Sequence, residues 1–206
     1  IISQLELNSK LAQTKDMKLA LDVVLDTAFG IGDVDCGGVY IFEEDVNKYI
    51  LKVHRNLSKE YADAVYSIDK DSIHAKIIEK GEPIFANYKE YPEDLGGVIH
   101  NLLINKEKIK AIALIPFFYQ NKAIGTLSLG SHSKESISEV SKNILILLSQ
   151  KIGGAISRIM AEDTLRKNEI KYREIVESAN SVIFVFDIKG KILSMNEYGI
   201  SFFGYE

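Results

Sequence analysis

A chain of 206 residues, 46% hydrophobic and 26% charged, has the balance of a folded globular protein and the length for one full domain plus an incomplete second element. Its 25 Lys and Arg against 29 Asp and Glu leave a net charge of −4 with no basic block, so nucleic-acid binding, which draws its affinity from neutralised phosphates, is not expected. One cysteine, Cys36, excludes an internal disulfide framework and a cysteine-based zinc cluster and fits a reducing, cytoplasmic setting; no metal site is expected. No run approaches the roughly 18 apolar residues that cross a bilayer, and no signal peptide is visible. Because the chain opens on Ile1 rather than Met, it is expected to be a piece of something longer.

From residue 1 to about residue 29, Leu5, Leu11, Leu21, Val24, Leu25 and Ala28 fall at helical spacing, and Gly30 and Gly32 stop the helix. Residues 37–42 (GGVYIF) and 49–55 (YILKVHR) are rich in β-branched and aromatic side chains and predict a hairpin about the polar turn EEDVNK. Short helices follow near residues 59–65 and 72–80, with Asp71 or Ser72 as N-cap and Gly81 as the left-handed C-terminal residue. IFAN after Pro83 reads as a strand, and residues 88–108 as a polar, partly helical excursion.

The strongest β signal is KIKAIALIPFFYQNKAIGTLSLGSH. Ile109, Ala111, Ala113, Ile115 and Phe117 share one face, residues 120–122 turn, and Pro116 predicts an edge, bulge or strand end nearby. A second long helix is predicted from near Glu135, its apolar stripe running from Ile137 to Ile159 and thinning into charged residues. Gly153 and Gly154 inside it predict a close helix–helix contact. The sum is an α+β domain with helices on an antiparallel sheet.

Two stretches resemble known families. GEPIFAN at residues 81–87, with AIALIPFFYQNKAIGTLSLGS, resembles the GAF domain. KNEIKYREIVESANSVIFVFDIKGKILSMNEYGISFFGYE is similar to the opening of a PAS domain, the match resting on Tyr172, Arg173, Asp187, Gly190, Asn196, Gly204 and Tyr205. The resemblance implies four parts: an N-terminal helical linker (1–16), a GAF-like sensory domain (17–160), a connecting helix (161–177) and an incomplete PAS-like hairpin segment (178–206). It further implies the non-catalytic input region of a two-component sensor histidine kinase. Such a region senses a ligand or partner, dimerises through terminal helices and relays the signal to downstream PAS and kinase domains. A ligand-free dimerisation scaffold and a haem-binding redox or gas sensor are the alternatives.

None of His54, His74, His100 and His132 has the acidic neighbour of a phosphoaccepting histidine, and no ATP-binding motifs occur. The Asn-Lys and Asp-Glu signature of cyclic-nucleotide-binding GAF domains is not matched, since Asn121-Lys122 lies in a turn. A bilin would need a mid-domain cysteine, haem has His74 as its best candidate ligand, and a GAF-fold methionine sulfoxide reductase would need cooperating cysteines. Glu43, Glu44 and Asp45 read as a solvated turn. A small-molecule pocket is expected between the sheet and the middle excursion, walled by Ile73, His74, Ile77, Phe85, Asn87, Tyr88, Ile99 and Leu103. Ile144, Leu148, Ile152, Ile156 and Ile159 are expected to form the homodimer and signalling stripe.

Overall fold

The structure is a computed structural model that describes residues 4–87 and 107–204. It divides into two compact units, Ile1–Ile159 and Met160–Glu206. The N-terminal stretch expected to be one helix is two, α1 (Gln4–Gln13) and α2 (Met17–Phe29). Side chains that compete with the backbone make the break. The Thr14 hydroxyl donates to the Lys10 carbonyl at 2.7 Å, and Asp16, in extended conformation, accepts from the Leu19 amide at 2.8 Å as the cap of α2. The inner face of α2 (Ala20, Leu21, Val24, Leu25, Ala28) is wholly buried.

Six strands make one antiparallel sheet: β1 (Cys36–Glu43), β2 (Lys48–Arg55), β3 (Ser67–Asp69), β4 (Ile84–Asn87), β5 (Ala111–Tyr119) and β6 (Lys122–Ser131), in the order β3-β2-β1-β6-β5-β4. Gln120 and Asn121 close the β5–β6 hairpin with φ of 48° and 63°, the paired left-handed residues that match strand twist. At Pro116 strand β5 has a locally free side, because β4 begins its pairing opposite Leu114, and a register shift follows at Phe117/Phe118.

A second register shift, beside Lys52, decides which residues meet. Leu51 pairs with Tyr40 and Val53 with Val39, so side chains two apart on β2 point to opposite faces. One face carries Tyr40, Phe42, Tyr49 and Leu51 and receives Ala75 and Ile78 of α4 (Ile73–Lys80). By alternation, Val39, Ile41 and Val53 occupy the other face, where Arg55 of β2 reaches Asp22 and Asp26 of α2 at 2.7 and 3.0 Å. Helix α3 (Lys59–Ala64) is capped by Ser58, and α4 by Ser72 and by Gly81 at φ 83°.

Helix α5 (Glu139–Ser178) is 40 residues long. It starts four residues later than expected because Ser138 acts as its cap, its hydroxyl accepting from the Ser141 amide at 3.3 Å. By length and composition α5 would suffice to cross a membrane, but Leu145, Leu148, Ile152, Ile156 and Ile159 are buried in the first unit. Gly153 lies against strand backbone: a Cβ there would sit 2.1 Å from the Phe118 carbonyl oxygen, so the glycine serves helix–strand rather than helix–helix contact. Beside Gly154 there is open space.

The second unit contains β7 (Phe184–Phe186), β8 (Ile192–Met195) and α6 (Glu197–Phe203). The Asp187 carboxylate accepts the amides of Lys189 and Lys191 at 2.8 and 2.9 Å, and Gly190 turns the chain at φ 82°. Asn196 caps α6 and is 1% exposed. Phe184, Phe186, Ile188, Leu193, Phe202 and Phe203 are exposed.

Candidate functional site

A cavity of about 100 Å³ lies in the first unit between β1, β6 and β5 on one side and α3 and α4 on the other. Its apolar lining includes Tyr40, Leu51, Leu57, Val65, Ile109, Ile112 and Leu114. The polar groups on its surface are those of Tyr40, Tyr61, Ser67, His74 and Ser128. The Tyr40 hydroxyl donates to the Val65 carbonyl at 2.7 Å, which ties β1 to the end of α3. Burial lowers the pKa of His74, so its imidazole is neutral at pH 7. At Gly37, φ is 134° and a Cβ would meet the Ser128 carbonyl oxygen at 2.3 Å, so close approach of β1 to β6 here requires glycine.

Of the residues expected to wall a pocket, the structure brings only His74 to this cavity among the described residues. Ile73 is 52% exposed, and Ile77, one helical turn on, shares its side of α4 and is not on the wall. Strand alternation removes Phe85 and Asn87: Ile84 lines the cavity, Lys142 of α5 sits over the Phe85 ring at 5.6 Å, and Asn87 donates to the Glu135 carbonyl at 3.2 Å. Tyr88, Ile99 and Leu103 lie outside the described residues. The strand residues Ile112, Leu114 and Ser128 were missed. Their signal was the alternation itself, since they sit between Ala111, Ala113 and Ile115 or between Leu127 and Leu129.

The stripe expected to dimerise is placed differently. Leu148, Ile152, Ile156 and Ile159 are spent inside their own domain, as the seam on which α5 packs. Ile144 is 41% exposed and stands with Val140 (69%) and Leu147 (47%) at spacings that share one helix face. The start of α5 is fixed by Asp33, whose carboxylate accepts from the Ser138 amide (3.0 Å) and the Ser138 and Ser141 hydroxyls (both 2.6 Å). These bonds, the Ser138 hydroxyl first, pull the Asp33 pKa down to about 2.

The sequence model of the GAF domain matches residues 14–157. No curated protein matches the sequence. Among solved structures, a domain of a two-component sensor histidine kinase protein from Sinorhizobium meliloti superposes with TM-score 0.59 at 20% identity, covering 74% of this chain and 99% of that one. The GAF domain of a phosphoenolpyruvate-protein phosphotransferase from Coxiella burnetii gives 0.64 at 15% identity, covering 78% and 94%. Free methionine-R-sulfoxide reductase from Neisseria meningitidis gives 0.57 at 15% identity, covering 77% and 88%. At these identities the likeness is one of fold.

Proposed function

The chain belongs to the GAF domain family, and from that premise we propose that residues 17–160 are the sensory module of a signal-transduction protein. The observation that carries this reading is the cavity between sheet and helices. Its walls are mostly apolar, and its polar groups are concentrated in two tyrosines, two serines and a neutral histidine. At about 100 Å³ it suits a compact ligand no larger than a small ring with one hydrogen-bonding end. The mostly apolar lining with a few hydrogen-bonding groups favours a small organic ligand over haem.

The fold likeness extends to a sulfoxide reductase, so a non-catalytic role is argued from residues. A reductase that resolves its sulfenic acid by an internal disulfide needs a second cysteine, and this chain has Cys36 alone. Cys36 is moreover buried, and burial together with the Asp35 carboxylate pushes its thiol far up, away from the nucleophilic thiolate.

Output would leave through α5 into residues 178–206, read as the start of a PAS domain, and on to a histidine kinase in a cytoplasmic homodimer. Asp187, Gly190, Asn196 and Gly204 support that reading through their local roles in a turn and two helix caps. The test is a screen of small aromatic and aliphatic alcohols, amides and acids by thermal shift, repeated on Ser128→Leu, which fills the cavity. Stabilisation of the parent that Ser128→Leu loses supports the proposal. A folded parent that no compound stabilises, or equal stabilisation of both proteins, overturns it.

A further inference from the structure

Beside the cavity, the start of β1 and the residue after β6 bring Asp35, Cys36 and His132 together, with a carboxylate oxygen, the sulfur and an imidazole nitrogen all within 4.8 Å of one another. We propose that these three residues form a binding site for a zinc-type divalent cation, with a fourth coordination position left to water.

Three features point to a cation. The donor set of one thiolate, one imidazole and one carboxylate suits borderline metals rather than magnesium or calcium. Tetrahedral coordination at ordinary bond lengths sets donors about 3.5 Å apart, so the existing cluster needs only side-chain adjustments to close on an ion. The charge also balances, because a carboxylate and a thiolate together neutralise a divalent ion. Without metal, the Asp35 carboxylate stands between two proton donors. His132 Nδ1 is 2.7 Å from Oδ1, and the Cys36 thiol also hydrogen-bonds the Asp35 carboxylate. This order, with the carboxylate in the middle, is the reverse of a thiol–imidazole–carboxylate triad and does not activate the sulfur for attack. Metal binding replaces the shared protons: the Cys36 thiol releases its proton to water, and the neutral imidazole presents Nδ1 with its proton on Nε2.

The surroundings are built to hold such a site. The Asp35 carboxylate is oriented by the His132 amide at 2.9 and 3.1 Å and by the Ser133 hydroxyl at 3.2 Å, an outer set of bonds of the kind that positions metal ligands. Gly130 pairs with Cys36 across the sheet, and a Cβ there would lie 3.0 Å from the sulfur and 2.9 Å from the Ile109 side chain, so only glycine leaves the thiol its place beside Ile109. Cys36 is buried, whereas the Asp35 and His132 side chains are 38% and 36% exposed, which gives an ion a path from solvent. Asp33, two residues upstream, fixes the start of α5. An ion here would therefore stiffen the same short loop that sets the output helix.

Cobalt(II) titration of the full chain, read by absorbance, is the test. The expected result is one equivalent bound, with a thiolate-to-cobalt charge-transfer band and visible bands of tetrahedral intensity, both erased by zinc. Cys36→Ala should remove the charge-transfer band, and His132→Gln should weaken cobalt binding by about tenfold or more. A folded parent chain without the charge-transfer band overturns the proposal, as does a His132→Gln variant with unchanged affinity. Should Cys36→Ala not fold, the parent spectrum decides alone.

Discussion

The paired glycines of α5 offer a measurement in which one variant calibrates the other. Gly153→Ala and Gly154→Ala make the same chemical change one residue apart in the same helix, so each gains the same intrinsic helix preference of roughly 1 kcal/mol. At Gly154 the new methyl enters open space, and that gain should appear whole. At Gly153 it would stand 2.1 Å from the Phe118 carbonyl oxygen and 3.0 Å from its carbon. The obstacle is backbone of a paired strand, so no rotamer change relieves it and either helix or hairpin must move by about an ångström. Overpacking of this kind costs about 1–3 kcal/mol. The difference between the variants cancels the propensity gain and isolates the contact, again about 1–3 kcal/mol. Amide exchange of the β5–β6 ladder reads the first unit by itself, and urea melts should separate the two midpoints by about 1 M for a slope of 1–3 kcal/mol/M. Equal stability of the two variants, or a more stable Gly153→Ala, would refute the packing of α5 on the hairpin.

Ile152→Ala should cost about 2–5 kcal/mol in the same exchange assay, because its side chain is wholly buried. We propose that the homodimer uses the exposed face of Val140, Ile144 and Leu147; replacing the three together by Lys should leave stability within about 1 kcal/mol and give monomers in sedimentation, and a dimer that survives the change overturns that placement. Since the folded-state pKa of Asp33 lies below its unfolded value, its bonds to Ser138 and Ser141 stabilise fully above about pH 4 and are lost as pH falls toward about 2. Asp33→Asn should abolish that acid-dependent step in a pH series of thermal melts. Asn196→Ala should selectively open the second unit. It removes donors to the Val176 and Ser181 carbonyls (both 3.0 Å) and the acceptor for the Ile183 and Gly199 amides (2.9 and 3.1 Å), at about 1–3 kcal/mol per buried group left unpaired, visible as faster exchange in β7 and β8 alone.

Local chemistry was legible wherever it was self-contained. The β1–β2 and β5–β6 hairpins, the Ser72 and Gly81 caps of α4 and the turn at Gly190 each follow from a few adjacent residues. What failed was facing. Ile73 and His74 are neighbours, yet a helix turns about 100° between them, so one wall-lining residue does not recruit the next. Phe85 and Asn87 share a strand parity, and nothing within IFAN says whether that parity faces the cavity or α5. The shift beside Lys52 reverses parity along β2 and is visible only in the pairing with β1. The break before α2 was readable in principle from Asp16 and the Leu19 amide. A run of helical spacing from Leu5 to Ala28 concealed it.

The burial pattern of α5 also constrains how a signal can travel. A helix that rotated against its sheet would have to lift Leu145, Leu148, Ile152 and Ile156 from a dry core and drive Gly153 into strand backbone. Each such side chain costs about 1.5–3 kcal/mol to expose, and a ligand shifts an equilibrium only by its differential affinity for the two states. A ligand small enough for the cavity cannot supply four such terms. In the proposed relay, sheet and helix therefore move as one body up to Ile159, and the input acts where α5 is held by polar bonds instead. That place is its first turn, where Asp33, Ser138 and Ser141 join the loop before β1 to the helix, and where a small displacement breaks hydrogen bonds to an exposed carboxylate and leaves the packed layer intact.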